Sequence, residues 1–278
     1  MGQAECVAFL QWCLPRLGMR WRGFRKVRSQ VCKRLARRVR ELGLHDLAAY
    51  REVLEENEAE WVRVDAMCRI TISRFYRDRA VFDAVVDEVM PRLADEATGG
   101  RVRCLSCGCA SGEEPYTLTI AWRLALAERF PGIELAVIAI DADPHMLDRA
   151  RAGVYAPRTV RELPGPWRRH AFVEEAGELR VRAPFRESID WRLGDVRAGM
   201  PDGPFDLVLC RNLAFTYFDT AGQTAVLREI RSRVRRGGFL VLGRHETLPG
   251  DGAGFVVWKR HLRIFRREDR SVVCGTGA

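Results

Sequence analysis

Nowhere in its 278 residues does this chain hold an apolar run long enough to cross a bilayer, which takes about 20 residues. No signal peptide stands ahead of the first polar residues, so a cytoplasmic location without membrane insertion is expected. Internal repeats and low-complexity segments are also missing, which excludes a repeat architecture. The dinucleotide fingerprint Gly-x-Gly-x-x-Gly does not occur where a nucleotide turn is expected, and no His-x-x-x-His answers the cysteines. Cys104, Cys107 and Cys109 therefore read as small apolar residues packed around a turn, and no metal is expected. Acidic residues are absent between Arg16 and Arg40, where eleven Lys or Arg stand. What the chain does have is cation: 46 Lys+Arg against 37 Asp+Glu, a formal charge of +9, which favours acidic partners. Nine cysteines in a chain of this size read as free thiols in a reducing compartment rather than a disulfide scaffold.

The stretch around which the rest is organised runs from Val102 to Tyr116. Val102 to Leu105 reads as a strand, Gly108 and Gly112 as a tight turn, and a helix follows near Pro115, which suits a first helical turn. Strand, glycine turn and helix together let a nucleotide-like ligand approach bare backbone. Glu113 and Glu114 stand where a pyrophosphate would need positive charge. Carboxylates there suit a ligand without phosphate that carries cationic groups, and S-adenosylmethionine is such a ligand, with a sulfonium and an ammonium.

In chain order, residues 5 to 67 read as helical. A helix from Phe24 to Leu42 carries Val27, Val31, Leu35, Val39 and Leu42 on one stripe and Lys26, Lys33, Arg37 and Arg40 on the opposite face. So many uncompensated cations suggest a docking surface for an acidic partner, with nucleic acid not excluded. A further helix covers His45 to Glu55. Ile70 to Arg77 forms a β-leaning linker, followed by a helix over Val81 to Leu93. Strand and helix then alternate: a helix over Tyr116 to Arg129, strand Leu135 to Ile140 ending at Asp141, and helix Pro144 to Ala152. The buried strand Phe205 to Cys210 precedes helix Thr220 to Arg235, which stops at Gly237-Gly238. Strands Phe239 to Leu242, Phe255 to Trp258 and Leu262 to Phe265 close the pattern. Such alternation argues for a mostly parallel sheet covered on both faces by helices. Asp141 at a strand end is placed to grip ribose hydroxyls. Three units are expected: a basic helical domain over 1–69, a linker and lead-in helix over 70–98, and an α/β domain over 99–270. The last contains a small antiparallel β insertion at about 155–192, with Gly177 at its turn.

The run Ser106-Cys-Gly-Cys-Ala-Ser-Gly-Glu-Glu-Pro-Tyr116 resembles the signature of the chemotaxis-receptor methyltransferases, the CheR family. So do Cys210-Arg-Asn, Tyr217-Phe-Asp and Arg74-Phe-Tyr-Arg77, in the family's order. The resemblance implies a Rossmann-like class I methyltransferase core with a seven-stranded sheet. It also implies transfer of methyl from S-adenosylmethionine to a protein glutamate, leaving a methyl ester and S-adenosylhomocysteine. By position it implies cofactor contacts at Thr71, Ser73, Arg77, Gly108, Glu114, Asp141, Asp195, Val196, Arg211 and Asn212, with Arg77 and Tyr217 on the reacting side. Three departures stand out. The linker reads Thr71-x-Ser73-x-Phe75-Tyr76-Arg77 where the family has Asn-x-Thr-x-Phe-Phe-Arg. Four residues instead of three separate Asn212 from Tyr217. Gly243-Arg-His-Glu246 replaces the family's Gly-x-Ser-Glu. The extra residue is expected to reshape the acceptor side and to be absorbed as a bulge, with Tyr217 still in the pocket; Thr216 and Phe215 are the alternative occupants.

A glutamate acceptor, with a pKa of about 4.3, is already ionised at neutral pH, so the chemistry needs alignment and no general base. A hydroxyl acceptor would need a base, and His245 or His170 would have to supply it. Three functional classes follow: a protein carboxyl methyltransferase, a methyltransferase for a small molecule or RNA, and a non-catalytic cofactor-binding module.

Overall fold

The computed structural model describes residues 2–268. The expected end of the α/β unit at residue 270 lies outside the described residues, as does Cys274. Five helices come first: α1 (Gln3–Arg16), α2 (Trp21–Phe24), α3 (Arg28–Glu41), α4 (Leu47–Glu56) and α5 (Glu58–Cys68). They enclose their own core, in which Leu10, Leu14, Phe24, Leu35 and Tyr50 are fully buried. On α3, Val31, Leu35 and Val39 are covered, each worth about 1.5–3 kcal/mol of burial. That helix starts later than the periodicity suggests: Lys26 and Val27 precede it, and Leu42 is 37% exposed beyond its end. Part of the basic stretch is consumed internally. Arg34 donates to the carbonyls of Met67 and Arg69, and Arg38 pairs with Glu60 of α5 at 2.7 Å. Lys26, Lys33, Arg37 and Arg40 remain exposed. The expectation of free thiols needs one correction. Cys6 on α1 and Cys32 on α3 face each other with Cα atoms 6.0 Å apart and form a disulfide. Cys13, Cys68, Cys104, Cys107, Cys109 and Cys210 are free and buried.

The linker over 70–77 forms no strand; it runs irregularly into a turn at Phe75–Tyr76. Helix α6 (Arg79–Ala84) continues through a π turn into α7 (Met90–Asp95). Then come β1 (Arg101–Cys107), α8 (Glu113–Ala121), β2 (Glu134–Asp141) and α9 (Pro144–Ala152). Asp143 caps α9 by accepting from His145 N–H at 3.0 Å, Pro144 fills its first turn, and Gly153 ends it at φ +64°. The antiparallel insertion comprises β3 (Val154–Tyr155), α10 (Gly165–Ala171), β4 (Phe172–Glu175) and β5 (Glu178–Val181).

The insertion is narrower than 155–192. After α11 (Ala183–Arg186), β6 (Ile189–Leu193) pairs in parallel with β2 and belongs to the main sheet. It is followed by β7 (Phe205–Cys210), the one-turn helix α12 (Ala214–Tyr217), α13 (Thr220–Arg233), β8 (Val234–Leu242), β9 (Phe255–Lys259) and β10 (Ile264–Arg267). All six residues of β7 are buried, as a central parallel strand requires. The seven strands run in the order β6-β2-β1-β7-β8-β10-β9, parallel except for β10. One apolar layer joins α6, α7 and α8 to one face, and another joins α12 and α13 to the opposite face. Gly237 and Gly238 do not end a helix. They lie inside β8, where the register against β7 shifts and a Cβ on Gly238 would come within 2.9 Å of the Asp206 carbonyl. Among the described residues no helix is long and apolar enough to cross a membrane.

Candidate active site

Two adjoining cavities open where the C-terminal ends of β1, β2, β6 and β7 meet the helical unit. The first is lined by Thr71, Asp141, Asp195 and Val196, with Met19, Phe24 and Phe218 as its apolar wall. The second is lined by Ser73, Arg77, Glu114 and Arg211, with Val27, Ile70 and Ile72 beside them. Gly108, Asn212 and Tyr217 border both. Every site residue implied by the family resemblance therefore lines one cavity or the other, whereas Glu113 lines neither. A more spacious groove of about 850 Å³ lies at the other end of the sheet, near Arg101, Glu134 and Ile189, and contains none of them.

The glycine turn shapes the shared border. Gly108 has φ +70°, and a Cβ there would sit 2.8 Å from Leu213 Cδ2. Gly112, at φ +92°, starts α8, and a Cβ there would strike the Trp191 ring at 2.7 Å. Asp141 closes β2 and anchors this turn, accepting from Ala110 N–H at 2.8 Å and from Asp143 N–H at 2.9 Å. Burial pushes its carboxyl up against the pull of those two N–H groups. Asp195 follows β6; burial raises its carboxyl too, but the Arg197 side chain and backbone N–H outweigh it and the net shift is downward. Arg197 also reaches Asp65 of α5 at 2.7 Å, which fixes the helical unit to this end of the sheet.

In the second cavity Glu114 accepts from Ser106 Oγ at 2.8 Å and pairs with Arg211 at 3.1 Å. Arg211 is buried against the Phe82 ring and also holds Asp78 at 2.8 Å and the Arg77 carbonyl at 2.9 Å. Arg211 thus bridges the two carboxylates of Asp78 and Glu114, while Arg74 and Arg77 also line this cavity. Arg77 gives one Nη to the Ile72 carbonyl at 3.0 Å, and its guanidinium has no other protein partner among the described residues. Glu113, beside Glu114, points elsewhere. It accepts from Ser111 Oγ at 2.7 Å, its Oε2 is buried without a partner, and burial pushes its carboxyl up.

The four residues after Leu213 form the single helical turn α12, and no bulge is seen there. Phe215 is buried in the core and the Thr216 hydroxyl turns to Glu246 at 2.6 Å, while Tyr217 faces both cavities. Burial pushes the Tyr217 phenol up to about 12, with Arg77 opposing the shift and Glu246 adding to it. The hydroxyl is therefore a proton-bearing donor at neutral pH.

Sequence reasoning missed two residues here. Glu246 is buried and accepts, besides Thr216, the N–H groups of Asn212 at 2.9 Å and Gly243 at 2.6 Å. Arg20 grips α12 from the helical unit. Glu246 had a signal, since it closes the altered Gly243-Arg-His-Glu246 motif; Arg20 was hidden among many other cations. Among the described residues no group of three His, Cys, Asp or Glu is placed to hold a metal ion.

The profile of the CheR methyltransferase SAM-binding domain matches residues 71–262. The chain is 33% identical over 188 residues to a chemotaxis protein methyltransferase of Listeria monocytogenes, covering 67% of this chain and 70% of the relative. It is 32% identical over 232 residues to the chemotaxis protein methyltransferase of Escherichia coli, covering 79% and 77%. Among solved structures, magnesium protoporphyrin IX methyltransferase from Synechocystis with bound SAM overlaps 68% of this chain and 79% of its own, with TM-score 0.35 and 15% identity. The matched segment contains both cavities apart from the wall supplied by Met19, Phe24, Val27 and Cys68 to Ile70. With the glycine turn, the strand-end Asp141 and the Arg211–Glu114 pair inside that segment, the chain belongs to the CheR methyltransferase family and is an S-adenosylmethionine-dependent methyltransferase.

Proposed function

We propose that this methyltransferase esterifies a glutamate side chain of an acidic protein. The observation that carries the reading is Arg77, which lines the second cavity and gives one Nη to the Ile72 carbonyl, leaving further N–H groups of the kind that pair with a carboxylate. None of the five histidines lines either cavity, and His170 and His245 lie exposed on the surface. An acceptor that arrives as a carboxylate needs no proton removed; a hydroxyl would.

The residues suit the cofactor. The bare turn at Gly108 admits close backbone approach, Asp141 offers acceptors for ribose hydroxyls, and the Glu114 carboxylate offers an acceptor for an ammonium group. Thr71, Asp195, Val196 and Asn212 line the ribose and adenine side in this reading, with Ser73, Glu114 and Arg211 on the amino-acid side. The bound cofactor supplies an electrophilic methyl on positively charged sulfur. Arg77 then orients the acceptor carboxylate through its remaining N–H groups, and Tyr217 donates a hydrogen bond at the same end. Alignment alone is worth roughly 7–11 kcal/mol, so these two residues position the acceptor and do not supply a base.

The partner in this reading docks on Lys26, Lys33, Arg37 and Arg40. Val27 lines the second cavity and the exposed Lys26 precedes it, so positive charge begins at the mouth of the site and continues along α3. Incubation of a cell extract with methyl-labelled S-adenosylmethionine and the enzyme tests the acceptor class. The label is expected in the protein fraction; label confined to RNA or to small molecules would overturn the proposal.

A further inference from the structure

Tyr217 stands on a helix of only four residues, and such a turn cannot hold itself. Its last carbonyls have no partners within the helix. Three of them are taken by one residue of the helical unit. The Arg20 backbone N–H donates to the Tyr217 carbonyl at 2.8 Å, Nε donates to the Thr216 carbonyl at 3.1 Å, and Nη2 donates to the Phe215 carbonyl. The contact is built as a close fit around this fork. A Cβ at Gly23 would collide with the Thr216 carbonyl, and the Phe24 and Tyr217 rings lie 5.0 Å apart. Met19 pairs with Phe218 as an antiparallel bridge, and Asp219 N–H donates to the Gly18 carbonyl at 2.8 Å. The other end of the turn is held by Glu246 through Asn212 N–H and Thr216 Oγ1.

We propose that Arg20 is a positioning residue for methyl transfer, fixing the Tyr217 hydroxyl at the acceptor cavity by clasping three successive carbonyls of its helical turn. The inference rests on the reading that Tyr217 serves the reaction. It assigns the helical unit a part in the active site beyond docking. Only a planar guanidinium offers Nε and Nη donors at the spacing of adjacent carbonyls, so a lysine does not substitute. Displacement of a positioned group by about 1 Å is enough to cost on the order of 100-fold in rate.

A two-by-two cycle of Arg20→Gln and Tyr217→Phe, with kcat and cofactor affinity measured for each folded variant, decides the matter. Arg20→Gln is expected to lower kcat roughly 10- to 100-fold with cofactor affinity kept. In the Tyr217→Phe background the same substitution is expected to change kcat less than about threefold, because the hydroxyl it positions is already gone. Equal losses in both backgrounds would overturn the clasp and leave the role of Tyr217 standing. No loss in Tyr217→Phe alone would overturn the reading beneath it. Arg20→Lys guards against a folding defect: it keeps the charge and stem, and is expected to melt near the parent while remaining slow. Full activity in Arg20→Lys would also overturn the proposal.

Discussion

Glu246 makes the most demanding prediction, because a single buried carboxylate ties three segments of the site together. Its Oε2 accepts Asn212 N–H at 2.9 Å and Gly243 N–H at 2.6 Å, and its Oε1 accepts Thr216 Oγ1 at 2.6 Å. Glu246→Ala leaves the buried Gly243 N–H and the half-buried Asn212 N–H without their acceptor. Each such orphan costs about 1–3 kcal/mol, so the loss is expected at about 2–6 kcal/mol. That is a large share of a stability of roughly 5–15 kcal/mol. Glu246→Gln separates geometry from charge. Its amide oxygen keeps the two N–H bonds, and the Thr216 hydroxyl reorients to accept from the amide NH₂. Burial already pushes the Glu246 carboxyl up, so removing its charge relieves part of the desolvation cost. Glu246→Gln is therefore expected within about 1 kcal/mol of the parent and close to full activity. Urea unfolding with unchanged slope measures the first quantity and initial rates the second. The reasoning is refuted if Glu246→Ala unfolds with the parent, or if Glu246→Gln is as damaging as Glu246→Ala.

Asp141→Asn keeps an acceptor for the Ala110 N–H but loses the carboxylate charge, and cofactor binding measured calorimetrically is expected to weaken by about 1–3 kcal/mol. Unchanged affinity would make Asp141 only the anchor of its turn. Reversing Lys33, Arg37 and Arg40 to Glu is expected to raise KM for the protein acceptor and leave cofactor affinity alone, with the effect shrinking in salt because exposed charges are screened beyond about 8–10 Å. A KM indifferent to the reversal would make that face of α3 an ordinary solvated surface. Glu113 has a carboxyl raised by burial, so its folded form holds a proton more tightly than its unfolded form and its contribution to stability falls as pH rises through that range. Glu113→Gln is expected to raise the melting temperature at neutral pH and to remove that loss between acid and neutral pH. A lower melting temperature at every pH would show that the ionised carboxylate is needed.

Much of this fold is legible because its signals are local. Asp143, Pro144 and Gly153 bound α9 through capping chemistry that needs no distant partner. The run Phe205 to Cys210 declares a central strand by composition, and the glycine turn announces the site by requiring positive φ at Gly108 and Gly112. Failures arise where long-range packing overrides local preference. β6 alternates apolar and charged residues as Ile-Asp-Trp-Arg-Leu, the pattern of a half-solvated edge strand, and only its pairing with β2 places it in the main sheet. Gly237 and Gly238 look like a helix stop, yet both lie within β8, where Gly237 holds φ +78° and the Asp206 carbonyl approaches Gly238 closely. The disulfide depends on α1 and α3 facing each other. The same holds in the site: Asp141 and Glu114 follow from strand ends and turns. Arg20 reaches carbonyls 195 and 196 residues away, so its role is not written in its neighbours; Glu246 bonds Gly243 within its own motif, but its tie to the Asn212 N–H, 34 residues before it, is equally long-range.

The chemistry of the transferred methyl is the most direct test of the account. Protein labelled by the enzyme from methyl-labelled S-adenosylmethionine is treated with mild alkali, and the volatile product is counted. A carboxyl ester releases its label as methanol, and that release is the predicted result. Label that stays on the protein through alkali, as N-methyl or ether-methyl groups do, would contradict the account.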